Sequence, residues 1–599
     1  MLSVHEATIV DPRIIPWSMR GSYLCMATKS GQNGSLTPGN DIYLISHIHP
    51  GGLPLFALRP NLHGELPPVS GFHRTPTPVD FMASPSRMRW SSGDTTVGEA
   101  TFQDPRTIRL RGTVPLSFDT EGALQVDQWR CWLFRVPPTS NDSLETVEFT
   151  SAPNTALRFV ALRGTIALVH DAPYDPQFKN NNRRLTVSAD PEAASWELLI
   201  TERDTEAETP SHPPPLGNET FDGYAEAMGK AFETYVNGMC AWGATGTSAV
   251  TSADRLAAYV MWTSTLWSWD NCLNGLALVP YNLDRALDQI LLPFQHMTSE
   301  GRLPDSLTRT EVLLDYTKPP VYGWTFLKLL QLLDPKSSSS TPSFDCLPRE
   351  RLLDIFDKVS AFTRYWYRYR STSLSALPYY CHGNDSGWDN STAYDRQTVC
   401  VSPDLGAFLV VQCDFLALLA AHLGKDHSEW SRLRGETVQA LVQELWSEEE
   451  GAFTFKDALD GSTWTSSSLL QFVPLVASAH LPSSIVSRMA QNLTPYLSQW
   501  GLATERLDSK LYESDGYWRG PIWAPPTIMI ESGLRAAGIT DLANTISERY
   551  VRLCERNGFA ENYDAITGQG NRDLSYTWSA SAYLTLRKEQ EARRSTRFL

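Results

Sequence analysis

The spacing of apolar residues divides the chain into two regimes. From Arg20 to about Glu202, apolar and polar positions alternate over short spans, as in Thr107-Ile108-Arg109-Leu110-Arg111, Thr146-Val147-Glu148-Phe149-Thr150, Leu157 to Leu162 and Trp196 to Ile200. A period of two sends successive side chains to opposite faces, so these spans predict strands, and the Gly and Pro residues between them predict turns. Many short strands joined by turns predict an N-terminal antiparallel β-sandwich. The stretch from Asp204 to Glu219 is acidic and then rich in proline (Pro210, Pro213, Pro214, Pro215), which resists both helix and central strand and predicts a linker. Beyond it the period lengthens. Leu256, Tyr259, Val260, Thr263 and Trp267 share one helical face behind a Ser252 cap with Asp254 in the first turn. Ile355, Phe356, Val359 and Phe362, then Val438, Leu441, Val442 and Leu445, repeat that spacing. No fixed repeat length accompanies these helices, and their connecting loops are long, aromatic and acidic, which favours a helical toroid with a loop-lined funnel over a solenoid.

At 599 residues the chain exceeds what one core supports, so at least two domains are expected. The net charge of -16 argues against a nucleic-acid backbone or an anionic membrane as partner, since both require basic surface. The first residues lack the basic start and apolar core of a secretory signal, and no run of 18 apolar residues occurs, so a cytoplasmic protein without a membrane partner is expected. Nine cysteines occur without a CxxC pair, which fits free thiols in a reducing compartment. His47, His49 and His296 are too scattered for a metal site, and no GxSxG elbow, phosphate loop or HExxH is present, so neither metal nor cofactor is expected.

The chemistry concentrates in four polar, aromatic segments. Ser386-Gly387-Trp388-Asp389-Asn390-Ser391 sets one acid between a glycine, an indole and an amide, and Glu561-Asn562-Tyr563-Asp564 supplies a second acid 172 positions later. Hydrolysis of a glycosidic bond needs two carboxyls facing each other across the scissile bond. Asp385 competes with Asp389 for the acid role. Taken singly, Asp389 also fits a turn-forming acid, and Glu561 a loop residue beyond the helix that carries Tyr550 and Leu553. Asp573, Tyr576 and Trp578 follow Glu561 closely. Tyr512 to Trp523 packs Tyr517, Trp518, Arg519, Gly520 and Trp523 into one segment, where Arg519 fits either a fork to sugar hydroxyls or an ion pair with Glu513 or Asp515. Trp267-Ser268-Trp269-Asp270-Asn271 fits bonding of adjacent hydroxyls, or a cap at Asp270. Fourteen of the nineteen tryptophans follow the linker. In polar loops such rings can stack on sugar faces, with Trp388 and Trp518 the favoured candidates; at helical spacing, as at Trp262, they more often fill a core.

Together these segments, in this order, resemble the inverting glycosidases of glycoside hydrolase family 63, especially its mannosylglycerate-hydrolase-like members, with family 37 trehalases more distant. Arg20-Gly21-Ser22-Tyr23 is similar to an early segment of the same family, and the trehalase signatures are not present in full. The resemblance covers most of residues 220 to 585. It implies a multidomain α and β fold, an N-terminal antiparallel β-sandwich followed by an (α/α)6 helical toroid, with boundaries at 1–205, a linker at 206–219 and a catalytic domain at 220–599. It implies Asp389 as general acid and Glu561 as general base. The expected substrate contacts are Trp267, Trp269, Asp270, Asn271, Gln295, Trp324, Trp388, Asn390, Tyr517, Trp518, Arg519, Gly520, Trp523 and Trp578, in a monomer or homo-oligomer. An inverting pair stands roughly 6.5–9.5 Å apart to admit water, against about 5 Å for retention. The expected substrate is a small α-glucoside or α-mannoside. Rival readings are an α-L-rhamnosidase, a polysaccharide lyase, or a carbohydrate-binding protein without turnover.

Overall fold

The computed structural model describes residues 10–12, 17–19, 22, 24–27, 42–46, 53–62, 79–120, 132–137, 144–151, 155–169, 184–203, 220–240, 266–307, 312–334 and 342–597. Arg20, Gly21, Tyr23, His47, His49, the expected linker 206–219 and the helix face from Leu256 to Thr263 lie outside the described residues. Two compact units are present, one built on Met1–Asn237 and the other on Gly238–Leu307 and Val312–Leu599.

The first unit holds two antiparallel sheets. Six strands run in the order Leu24–Ala27, Ile42–Ser46, Leu53–Pro60, Leu116–Asp119, Arg184–Ser188, Thr165–Val169. Eight run in the order Asp80–Ser84, Arg87–Ser92, Thr95–Asp104, Thr107–Gly112, Trp196–Arg203, Thr155–Arg163, Thr146–Ser151, Trp132–Val136. All four alternating spans singled out in the sequence are strands of the eight-stranded sheet. Their inward positions supply the core: Phe149 and Phe159 meet Phe56 of the other sheet with ring centres 4.7 and 5.5 Å apart. Helix α1 (Phe221–Cys240) closes the unit by placing Asp222 on Arg111 at 3.0 Å and Phe221 beneath the same guanidinium at 4.1 Å.

The second unit is helical. Six segments form a cycle of neighbours: α2 (Asp270–Leu278) touches α4 (Tyr322–Leu333), α4 touches α6 (Pro403–Leu423), and α6 touches the 3-10 segment Leu469–Ala477. That segment touches α9 (Ala524–Ala536), α9 touches α11 (Thr577–Arg597), and α11 returns to α2. Alternating with them along the chain, α3 (Leu283–Leu291), α5 (Arg349–Tyr369), α7 (Ser428–Ala440), α8 (Ser483–Gln491) and α10 (Thr540–Asn557) each pack on a member of the cycle. The periodic run from Ile355 to Phe362 lies in α5, and the run from Val438 to Leu445 leaves α7 through one π turn. Trp267 departs from expectation: it pairs in a two-residue strand with Ser306 instead of continuing a helix. Helix α6 is long and apolar enough to cross a bilayer by composition, yet 83% of its apolar window is buried inside the unit. Its polarity pattern is that of a core helix surrounded by neighbours.

Candidate active site

The loops that precede the cyclic helices touch one another in a closed series. Ser268 donates its N–H to the carbonyl of Asp305 (3.0 Å), and the Thr317 N–H donates to Asp385 Oδ1 (2.9 Å). Ser391 and Ser468 share a hydroxyl bond of 2.8 Å, and Thr392 donates to Glu505 Oε2 (2.6 Å). Asn390 bonds the backbone at Gly516 and Trp518, Arg572 bonds the carbonyl of Asp515 (2.9 Å), and Trp578 Nε1 donates to the carbonyl of Glu561 (3.1 Å). Trp269 packs edge-on against Trp578 at 5.7 Å and so completes the circuit. Segments from the two ends of the helical unit thereby share one rim.

Five indoles floor this rim. Trp518 lies flat on Trp523 with ring centres 4.0 Å apart at 6°, Trp388 covers Trp518 at 4.6 Å, and Trp269 and Trp578 close the edges. Trp388 and Trp518, the favoured candidates for stacking on a sugar, lie within this stack. They are only 3% and 1% exposed, because each indole is covered by another. The polar ends of two of the rings hold backbone: Trp523 Nε1 donates to the carbonyl of Tyr517 (2.8 Å), as Trp578 does to that of Glu561. Gly387 sits in the left-handed region (φ +75°), and a Cβ there would stand 2.3 Å from Trp269 Cζ2, so the glycine before Trp388 is required twice over. At Gly520 a Cβ would stand 2.3 Å from the Glu513 carbonyl oxygen, so the segment can fold back this tightly only on a glycine.

Glu561 follows α10 and pairs its N–H with the carbonyl of Asp573 (2.6 Å). Burial pushes its carboxyl up to about 7, with the charge of Asp573 adding to the rise, while the Tyr517 hydroxyl and Arg572 favour the ionised form. Asp389 is partly buried, and burial raises its carboxyl above the ordinary aspartate value, opposed by Lys318 and assisted by Asp305. The Tyr517 phenol is raised by burial and then by the charges of Glu561, Asp389 and Asp270, of which Glu561 also bonds it. Tyr517 itself has φ +63°, an outlier for a bulky aromatic residue that costs on the order of 1–3 kcal/mol and must be held by its surroundings. Asp270, the first residue of α2, is buried, with its carboxyl raised by desolvation; no side-chain cap is made by Trp269 before it.

Asp385 has a different environment from Asp389. It accepts from the N–H of Thr317 (2.9 Å), the N–H of Cys381 (2.8 Å) and Arg370 Nη1 (3.0 Å), and is 1% exposed. Three donors fix this carboxylate as an internal strut. Arg519 likewise forms its bidentate pair with Asp395 at 2.7 and 2.8 Å, while Glu513 stands at 3.8 Å and Asp515 pairs with Arg572. The ion-pair reading is therefore the observed one, with a different principal partner. Asn271 bonds the carbonyl of Gln289, and Trp324 reaches Ser532 on α9 at 3.5 Å. Gln295 is exposed and, among the described residues, makes no hydrogen bond to the rim loops. Lys318, Asp305, Asp395 and Arg572 escaped the sequence reading. Lys318 Nζ lies 3.1 Å from Asp305, donates to the Asn384 carbonyl (2.7 Å) and stands 5.8 Å from the centre of the Trp267 ring. Its signal was faint: a lysine before Pro319-Pro320 at the entry to a helix.

Residues 263–579 match the model of the mannosylglycerate hydrolase MGH1-like glycoside hydrolase domain. Mannosylglycerate hydrolase of Rubrobacter radiotolerans is 23% identical over 404 residues, covering 53% of this chain and 89% of the relative. Mannosylglycerate hydrolase of Thermus thermophilus is 25% identical over 404 residues, covering 53% and 93%. Glucosylglycerate hydrolase of Mycolicibacterium hassiacum is 20% identical over 413 residues, covering 53% and 91%. A crystal structure of a family 63 mannosylglycerate hydrolase from Thermus thermophilus, in complex with glucose, aligns with TM-score 0.49 and 24% identity over 54% of this chain and 93% of that one. The matched segment spans more than half of the chain and contains both acids, the indole floor and every rim loop described above; the chain belongs to the MGH1-like glycoside hydrolases of family 63 and is itself a glycoside hydrolase.

Proposed function

We propose that the chain is an inverting α-glycosidase in which Asp389 is the general acid and Glu561 the general base. Asp389 gives its proton to the glycosidic oxygen as the bond to the anomeric carbon breaks; water adds to the opposite face of that carbon while Glu561 takes the water proton. Exchange with solvent then returns both carboxyls to their starting states. The observation that carries this assignment is that Asn390, beside Asp389, bonds the backbone on both sides of Tyr517, whose hydroxyl bonds Glu561, so the two acid-bearing loops meet at one residue. A base that titrates near neutrality is well matched to its task, and the three donors on Asp385 leave that residue no free carboxyl for proton transfer. The cycle of six neighbouring segments, with partner helices packed outside it, supports the (α/α)6 toroid, and the Phe56, Phe149 and Phe159 contacts support the sandwich. In this reading the catalytic domain begins after α1, at about Gly238 instead of residue 220, because α1 packs on the strands of the first unit.

The names of the relatives favour a hexose α-linked to a small hydroxy acid of the glycerate kind. Such an aglycone is compact and anionic, and the cations whose charges reach the acids are Lys318, acting on Asp389 and Asp270, and Arg572, acting on Glu561. A proton NMR time course on α-mannosylglycerate, α-glucosylglycerate and their neutral methyl glycosides tests the proposal. First release of the β-anomer from the acidic substrates is expected. First release of the α-anomer overturns inversion, and a near-normal rate in Asp389→Asn overturns the acid.

A further inference from the structure

Asn390, the residue after the proposed acid, commits its side chain to the opposite loop. Its Nδ2 donates to the carbonyl of Gly516 (3.0 Å), and its Oδ1 accepts from the N–H of Trp518 (2.9 Å). Gly516 and Trp518 are the two neighbours of Tyr517, the aromatic residue with φ +63°. One amide therefore brackets the strained residue on both sides. The same stretch is pinned at two further points: Trp523 Nε1 donates to the carbonyl of Tyr517 (2.8 Å), and Arg519, locked onto Asp395, donates to the carbonyl of Asn390 (3.3 Å). These two bonds commit one of the amide's two N–H groups and one of its oxygen's two lone pairs to the opposite backbone.

We propose that Asn390 is a positioning residue, a clamp that holds Tyr517 in its left-handed conformation and so keeps the Tyr517 hydroxyl on Glu561, tying the acid loop to the base as one unit. The inference rests on the reading of Glu561 as the base. Its chemical content is that a side chain adjacent to one carboxyl governs the environment of the other. Without the clamp the 516–518 peptides can relax toward ordinary backbone angles and draw the phenol away from Glu561. The hydroxyl favours the ionised carboxylate, so its withdrawal raises the pH at which Glu561 ionises.

The test is a double-mutant cycle on the full chain with α-mannosylglycerate and α-glucosylglycerate, using Asn390→Ala, Tyr517→Phe and the pair combined. Asn390→Ala is expected to lower kcat by about ten- to a hundredfold with KM little changed, as for a misplaced reacting group. Its acidic limb should move to higher pH, and the double variant should be no slower than Tyr517→Phe alone. Multiplying losses, or an unmoved acidic limb, would overturn the clamp. Asn390→Asp, which keeps the acceptor for Trp518 but loses the donor to Gly516, serves the same cycle where the alanine variant does not fold. A readout without turnover is the pH at which the gap between the thermal midpoints of a protein and its Glu561→Gln derivative stops widening; in the Asn390→Ala background that pH should rise. A near-normal rate in Glu561→Gln sinks the base assignment itself, whereas an inactive Glu561→Gln with multiplying losses sinks the clamp alone.

Discussion

Replacing Glu561 by Gln should make the protein more stable as well as inactive, and the gain should depend on pH in a defined sense. The carboxyl is pushed from 4.5 to about 7 in the folded chain, chiefly by burial. Below about pH 4.5 it is protonated in both folded and unfolded states and contributes no difference. As pH rises from there the unfolded chain releases its proton first, so the folded state loses stability until the folded carboxyl ionises near 7. A rise of about 2.5 pH units at about 1.36 kcal/mol per unit sets a ceiling of about 3.4 kcal/mol. Glutamine cannot ionise and its amide oxygen still accepts from Tyr517, so the variant escapes this cost. Thermal midpoints of wild type and Glu561→Gln, followed from about pH 4 to about pH 8.5 by intrinsic fluorescence and circular dichroism, should coincide in acid and separate by several degrees above neutrality, the variant melting higher. The acidic limb of kcat/KM in the wild type should fall at about the pH where the gap between the curves stops widening, near 7. A constant gap, or a wild type that becomes the more stable partner as pH rises, would refute the burial argument. The same substitution should reduce kcat by about 10²–10⁴, the usual contribution of a general base.

Three further outcomes separate chemistry from scaffolding. Asp389→Asn should lose activity by about a hundredfold or more with an almost unchanged melting curve, whereas Asp385→Asn, which leaves Arg370 facing a neutral amide in a buried site, should lose about 3 kcal/mol, read as a lowered denaturation midpoint. Gly387→Ala should destabilise strongly, because its Cβ would need the space of the Trp269 ring; a midpoint within a degree of wild type would contradict the close approach. Arg519→Lys cannot reproduce the two-pronged bond to Asp395, so a fall in kcat with retained fold is expected, and restoration by a parallel change at Asp395 would identify the pair as its cause.

Local structure and the segments that make up the candidate site were both legible in the sequence. Alternation at 107–111, 146–150, 157–162 and 196–200 is a property of neighbours in the chain, and it sufficed to identify strands, just as the spacing from Ile355 to Phe362 identified α5. The four polar aromatic segments stood out because acids, indoles and glycines are rarely so dense in a loop without a task. Which member of each segment does what depends on the folded arrangement. Asp385 and Asp389 are four residues apart and chemically identical, and what distinguishes them is the arrival of Arg370 and the Thr317 and Cys381 amides at one of them. Trp388 and Trp518 read as open to a ligand because their neighbours in sequence are polar; their neighbours in space are other indoles. Lys318 and Arg572 stand in unremarkable sequence and acquire meaning from the carboxylates that the fold brings to them. Burial, desolvation and the partners of a charge are set by residues far away along the chain, and no local pattern records them.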